Sequence, residues 1–132
     1  LRMLHEAGYR VIVVSNQAGV GRGAMTADDV ERVNDHMRAT AAAAGGHIDA
    51  VYYCPHDWDD GCACRKPRPG MLFDAQHDHQ FDLTRTVFIG DDERDGEAAS
   101  AAGAPYLHVD ETKSLLDHVR ALLGATPERI TA

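Results

Sequence analysis

The sequence holds three cysteines, and an odd number makes a poor disulfide framework. A reducing, cytoplasmic setting fits better, and metal binding becomes the first use to test for the thiols. No run of about 18 apolar residues is present, which excludes a membrane-spanning helix. The opening "LRMLHEAGYR" is too polar for a signal peptide. There is no excess of positive charge: 13 Lys and Arg stand against 21 Asp and Glu, a formal net charge of −8. That argues against nucleic acid as a partner held by general electrostatics. It leaves room for a small phosphorylated ligand, because such a site needs only a few local cations. Lysine itself is scarce, with Lys66 and Lys113 alone.

What is present suffices for a single domain. The 132 residues are 44% hydrophobic, enough for a real core. The chain opens on Leu1 and not Met, so an upstream segment is expected to be missing from it.

Hydrophobic patterning predicts alternating helices and strands. "LRMLHEAGYR" reads as a helix end with Gly8 as its stop. "VIVV" (11–14) is a β-branched run suited to a strand buried on both faces. "QAGVGRG" is too glycine-rich to be regular. Thr26 opens a helix with Asp28 and Asp29 in its first turn, where the helix dipole favours acids. Val30, Val33, Met37 and Ala41 follow at helical spacing, and "AGG" (44–46) ends it. "IDAVYY" (48–53) is a second strand, and Pro69 stands where the next helix can start. "TVFIG" (86–90) is a third strand, "ERDGEAASAAG" (93–103) a helix capped by Gly103, "PYLHV" (105–109) a fourth strand, and "KSLLDHVRALLG" (113–124) a last helix. Such alternation implies an α/β fold with a parallel sheet, whose ligands bind beyond the carboxyl ends of the strands. Polar clusters follow three of the strands directly: "SNQ", "CPH" and "GDDERD".

Each cluster suits a different chemical task. Cys54, His56, Cys62 and Cys64 form C-x-H-x5-C-x-C, a four-ligand set suited to tetrahedral zinc in a closed structural site. Buried cysteines are often only small hydrophobes, but confinement of all three to an 11-residue window favours a metal. Arg65 and Lys66 follow the last thiol, so a pinned loop holds them still to meet a phosphate. Pro67 and Pro69 stiffen this run. Ser15 and Asn16 end the first strand, where a hydroxyl, an amide and backbone N–H groups can cradle phosphate. Arg22, in the loop beyond, can reach the same ligand. Asp91, Asp92 and Asp95 follow the third strand and suit Mg²⁺, with Asp91 the expected ligand and Glu93 and Asp95 the expected helix caps. The other histidines show no ligand spacing, and "HDH" (77–79) reads as solvated.

Together these residues resemble the haloacid dehalogenase (HAD) superfamily of phosphatases, over residues 1 to about 110. The branch resembled is that of D-glycero-D-manno-heptose 1,7-bisphosphate phosphatase and histidinol-phosphatase. "VVSNQAGVGRG" resembles that family's second motif, with Ser15 and Asn16 at the phosphate-binding positions. "CPHDWDDGCACRKPRPGM" resembles its zinc loop and third motif. There Cys54, His56, Cys62 and Cys64 match the zinc ligands, and Arg65 and Lys66 the substrate and phosphate contacts. "VFIGDDERD" resembles the fourth motif, with Asp91 at the magnesium position. "NQAGVGRG" is closer to the heptose enzyme than to the histidinol one. Polynucleotide 3′-phosphatases share similar stretches but lack the zinc cysteines. Some heptose phosphatases carry Lys directly after the magnesium Asp, where this chain has Asp92.

The resemblance implies a Rossmann-like HAD fold and Mg²⁺-dependent hydrolysis of a small phosphorylated sugar, with Zn²⁺ in the loop, by a monomer. It also implies a first motif, D-x-D-G-[TV], that supplies the attacking Asp and the general acid/base. No residues here match it, so the chain is expected to start after the first strand. "ERDG" (93–96) echoes the motif but sits in the fourth-motif place, with Glu93 where the first Asp belongs. The competing expectation is a non-catalytic, zinc-bearing module that binds phosphate or a partner.

Overall fold

The computed structural model describes residues 1–16, 23, 25–56, 62 and 64–124. Helix α1 (Arg2–Glu6) ends where Gly8 takes φ +83, a left-handed turn that glycine adopts without strain. Strand β1 (Ile12–Asn16) runs two residues further than its apolar run, so Ser15 and Asn16 lie within the strand. Helix α2 (Ala27–Ala43) starts with a reciprocal cap: Thr26 Oγ1 accepts from the Asp29 N–H, and the Asp29 carboxylate accepts from the Thr26 N–H. Strand β2 (Ala50–Cys54) follows. Next come α3 (Gly70–His79), a 3₁₀ turn (Leu83–Arg85) and β3 (Phe88–Gly90). Helix α4 (Glu93–Ala102), β4 (Tyr106–His108) and α5 (Leu115–Leu123) complete the order. No helix among the described residues is long and apolar enough to cross a membrane.

The strands pair in parallel, as the alternation predicts, in two pairs. β1 lies against β2 with Ile12 opposite Ala50 and Asn16 opposite Cys54. β3 lies against β4 with Phe88 opposite Tyr106 and Gly90 opposite His108. The first register matters for the site, because it sets the carboxyl end of β1 beside the first thiol.

The core lies between α3, α4 and the strands. Leu72, Leu83, Ala98, Ala99 and Ala104 are buried together, and Val14, Phe81, Phe88 and Tyr106 pack on them. Three of those five are alanines, so α4 sits close to its strands. A Cβ on Gly96 would meet the Tyr106 ring at 3.1 Å.

Two sequence expectations change here. Every residue of β1 is partly exposed, so the strand is not buried on both faces. Among the described strands it pairs with β2 alone, which leaves it less covered than a central strand. Val33 is 59% exposed while Val30 is buried. At about 100° per residue, Met37 and Ala41 fall within about 20° of Val30 around the helix, whereas Val33 is about 60° away. The buried stripe is therefore narrower than the run of apolar residues.

Candidate active site and metal centre

The first site begins where β2 ends. Cys54 is fully buried at the strand terminus, and Cys62 and Cys64 return to it. Cys54 Sγ lies 3.4 Å from Cys62 Sγ, 2.9 Å from Cys64 Sγ and 3.4 Å from His56 Nδ1. His56 Nδ1 lies 3.2 Å from Cys64 Sγ. All four ligand atoms fall within 4.8 Å of one another. Zinc–sulfur bonds of about 2.3 Å in a tetrahedron set sulfurs about 3.8 Å apart, so the four donors need only a small spread to enclose that ion.

Proton affinities in this cluster point the same way. Burial pushes the Cys62 thiol up, but hydrogen bonds from Cys54, the Arg65 backbone and Cys64 outweigh it and leave Cys62 at about 6. Burial pushes Cys64 up, and its bonds and charge repulsion with Cys54 and Cys62 carry it to about 12. Burial likewise raises Cys54. Burial first, and charge repulsion after it, disfavours the thiolates of Cys54 and Cys64. A bound divalent cation supplies the charge that lets all three ionise.

The second site is built on Lys66. Asn16 grips its backbone from both sides: Oδ1 accepts from the Lys66 N–H at 3.0 Å, and Nδ2 donates to the Lys66 carbonyl at 3.3 Å. The ammonium then reaches Asp95 Oδ1 at 2.6 Å and the Val14 carbonyl at 3.3 Å. Both side chains are well covered, at 15% and 7% exposure. A pair this sheltered is held firmly, since removing one partner strands a poorly solvated charge. Asp95 is also the third residue of α4. Its Oδ2 accepts from the Asp92 N–H, closing a reciprocal cap with the Asp92 side chain. Gly90 makes the fit: a Cβ there would lie 2.7 Å from Asp95 Cβ and Cγ.

A cationic wall adjoins Lys66. Arg65 is buried. Arg68 donates from Nη1 to the Cys62 carbonyl, which ties it to the thiol loop. Arg94 forks onto Asp92, with Nε to Oδ1 at 3.1 Å and Nη2 to Oδ2 at 3.0 Å. That guanidinium, and then the Arg94 N–H, hold the Asp92 carboxyl well below the usual carboxylate range. Arg65, Lys66, Pro67, Arg68 and Arg94 line a cavity of about 210 Å³.

The structure gathers most of the residues singled out from the sequence. Cys54, His56, Cys62, Cys64, Arg65, Lys66 and Asn16 form one contiguous patch at the carboxyl ends of β1 and β2. Ser15 Oγ lies 3.5 Å from the Asn16 carbonyl, at the outer limit for a hydrogen bond. Arg22 lies outside the described residues, as does most of "QAGVGRG". Asp91 follows β3 and is exposed. Among the described residues no hydrogen bond or ion pair engages its carboxylate, and it belongs to no group of three ligand-type side chains. Asp95 was named in the acidic cluster but its pairing with Lys66 was not, and Arg94 went unseen. Asp95 reads locally as a helix cap, and its lysine lies 29 positions away. Arg94 reads as an ordinary first-turn residue of α4.

Residues 63–131 match the HAD-hydrolase-like family. The chain is 42% identical over 105 residues to the D-glycero-β-D-manno-heptose-1,7-bisphosphate 7-phosphatase of Bordetella bronchiseptica, covering 79% of this chain and 59% of that protein. It is 42% identical over 125 residues to the protein of the same name from Pseudomonas aeruginosa, covering 95% of this chain and 68% of that one. A crystal structure of the B. bronchiseptica D,D-heptose 1,7-bisphosphate phosphatase, complexed with magnesium and phosphate, superposes with a TM-score of 0.79 at 39% identity. It covers 82% of this chain and 60% of that one. A putative HAD-like phosphatase from Mesorhizobium loti gives 0.72 at 30% identity, over 82% of this chain and 56% of that one. The chain thus spans 59% of the B. bronchiseptica protein's length.

Proposed function

The chain belongs to the HAD-like hydrolase family, and on that footing we propose that its 132 residues form part of one phosphatase domain, the part that holds the phosphate. The substrate class is a small phosphorylated sugar. The relatives' name points to D-glycero-D-manno-heptose 1,7-bisphosphate, with the 7-phosphate removed and the 1-phosphate left. The observation that carries this reading is the setting of Lys66. Its backbone is clamped by Asn16 and its ammonium is aimed between β1 and α4. A cation whose backbone is so fixed is placed to meet developing phosphoryl charge.

The roles follow from placement. Lys66 stabilises the transferring phosphoryl group, and Ser15 and Asn16 support it at the end of β1. Arg65 orients the substrate, and Arg22 is assigned to the same ligand. Asp91 is the magnesium ligand. Its carboxylate is uncommitted among the described residues, and Mg²⁺ takes one or two carboxylates together with substrate phosphate. When bound there, magnesium neutralises charge on the phosphoryl oxygens. Cys54, His56, Cys62 and Cys64 hold zinc, which fixes the loop that presents Arg65 and Lys66. The attack on phosphorus calls for a carboxylate nucleophile, and no D-x-D-G sequence occurs in these residues to assign it to.

Calorimetric titration of the chain with inorganic phosphate and Mg²⁺ tests the reading. Saturable binding is expected, weakened at least tenfold by Lys66→Ala, and absence of phosphate binding refutes it. No steady-state phosphate release from heptose bisphosphate is expected of these residues by themselves. Turnover that Asp95→Asn abolishes would instead reassign the nucleophile to "ERDG".

A further inference from the structure

The cavity beside Lys66 has a composition that the hydrolysed phosphate does not account for. Four of its five lining residues are cations, and no carboxylate lines it among the described residues. At about 210 Å³ it is smaller than the ~300 Å³ at which whole small-molecule pockets begin, so it suits one group of a ligand. A lining of that size whose charged residues are all cations selects an anion.

Lys66 is already assigned to the phosphate that is transferred. Arg65, Arg68 and Arg94 remain, and each is positioned by a different device. Arg65 is buried, Arg68 is tied to the Cys62 carbonyl, and Arg94 is held by Asp92 in a two-point fork. The fork matters most. An arginine at the start of a helix ordinarily sweeps through many rotamers, and ordering it on binding costs affinity. Here Asp92 bears that ordering before any ligand arrives. Guanidinium also matches the paired oxygens of a phosphate better than a point charge does.

Resting on the phosphatase reading, we propose that Arg94 is a specificity-determining residue. It binds a second phosphate group of the substrate in this cavity, with Arg65 and Arg68, and Asp92 is its positioning residue. Position 92 acts here through position 94. A carboxylate at 92 serves as the mount of a cation two residues further on.

Binding of two probes to the 132-residue chain, heptose 1,7-bisphosphate and heptose 7-phosphate, decides the matter. The wild-type chain is expected to bind the bisphosphate at least tenfold more tightly in calorimetry. Arg94→Gln erases that preference and leaves affinity for the 7-phosphate within twofold. Arg94→Lys keeps part of the preference, which shows that charge is read and that the fold is intact. Asp92→Asn loses part of it, since Arg94 is then less well ordered. Equal affinity of the wild-type chain for both probes overturns the inference alone, as does an unchanged preference in Arg94→Gln or an equal loss for both probes. Binding of neither probe, by wild type or by Arg94→Lys, overturns the phosphatase reading and this inference with it.

Discussion

Gly90 has no side chain because Asp95 stands where one would be. The 2.7 Å approach to Asp95 Cβ and Cγ leaves no room for even a methyl group. Gly90→Ala must therefore push the first turn of α4 away from β3 and take Asp95 from Lys66. The expected cost is about 1–3 kcal/mol in urea unfolding, typical of an overpacked site. Gly124→Ala is the control. It has an ordinary φ of −79, and a Cβ there would lie 3.3 Å from the Arg120 carbonyl, a contact relieved by a shift of a few tenths of an ångström, so a smaller change, below about 1 kcal/mol, is expected. Equal effects at the two glycines would contradict the close approach. The residue scale is also where the sequence was least legible. Asp95 satisfies a local rule, the third position of a capped helix, so nothing in its neighbourhood announces a distant lysine. Asn16 was expected at the phosphate, and what the structure gives is its hold on the Lys66 backbone.

Among elements, three helices start in the same way. Thr26 with Asp29, Asp92 with Asp95, and Ser114 with Asp117 each form a reciprocal cap. Three of these carboxyls are held below their usual range. Backbone and then side-chain bonds from Thr26 lower Asp29, and those from Ser114 lower Asp117. The Arg94 side chain and then its N–H lower Asp92. A lowered folded value means that the unfolded state binds protons first as pH falls. The stabilisation is thus complete above the unfolded value of about 3.9 and is lost as pH drops through the folded values. Urea midpoints should change little from the caps between pH 7 and 5 and fall below about pH 4. Asp117→Asn should flatten part of that fall, and an undiminished fall in this variant would rule out the cap as its source. Some helix ends were legible in the sequence, though the Asp92 and Ser114 caps were not read from it. Thr26 and Gly103 mark their helix ends by local chemistry alone. The strands were legible as elements, but their burial was not. Burial depends on which neighbours lie alongside, and β1 has only β2 among the described strands.

For the whole molecule, the thiol cluster adds a tie to a segment that Asn16, Val14 and Asp95 already hold through Lys66. The core is alanine-rich, and small side chains bury little apolar area each. A metal at Cys54, His56, Cys62 and Cys64 would fasten the end of β2 to the segment carrying Arg65 and Lys66. Zinc should therefore co-purify at about one ion per chain by elemental analysis, as expected of a four-ligand closed site. Chelation should lower Tm by at least about 10 °C, a loss of roughly 2 kcal/mol or more for a chain of this length. Cys62→Ser should reproduce the drop without chelator. A metal-free chain with an unchanged Tm would discard the site. The spacing of these four residues was legible because one short segment holds them all. The union of that segment with Asn16 was not, because it depends on the register of β1 against β2.

Lys66 is not waiting alone for its ligand. Asp95 occupies its ammonium at 2.6 Å, so a phosphate bound as proposed would trade places with a carboxylate. Binding would then be an exchange of counter-ions, with a yield set by the difference between two attractions. The other Asp95 oxygen accepts from the Asp92 N–H, a bond that such an exchange would leave in place. What the exchange leaves behind is an acidic group short of a cation, a few residues from Asp91. A divalent ion arriving with the phosphate would restore the local charge balance, and the anion and the metal would then favour each other's entry.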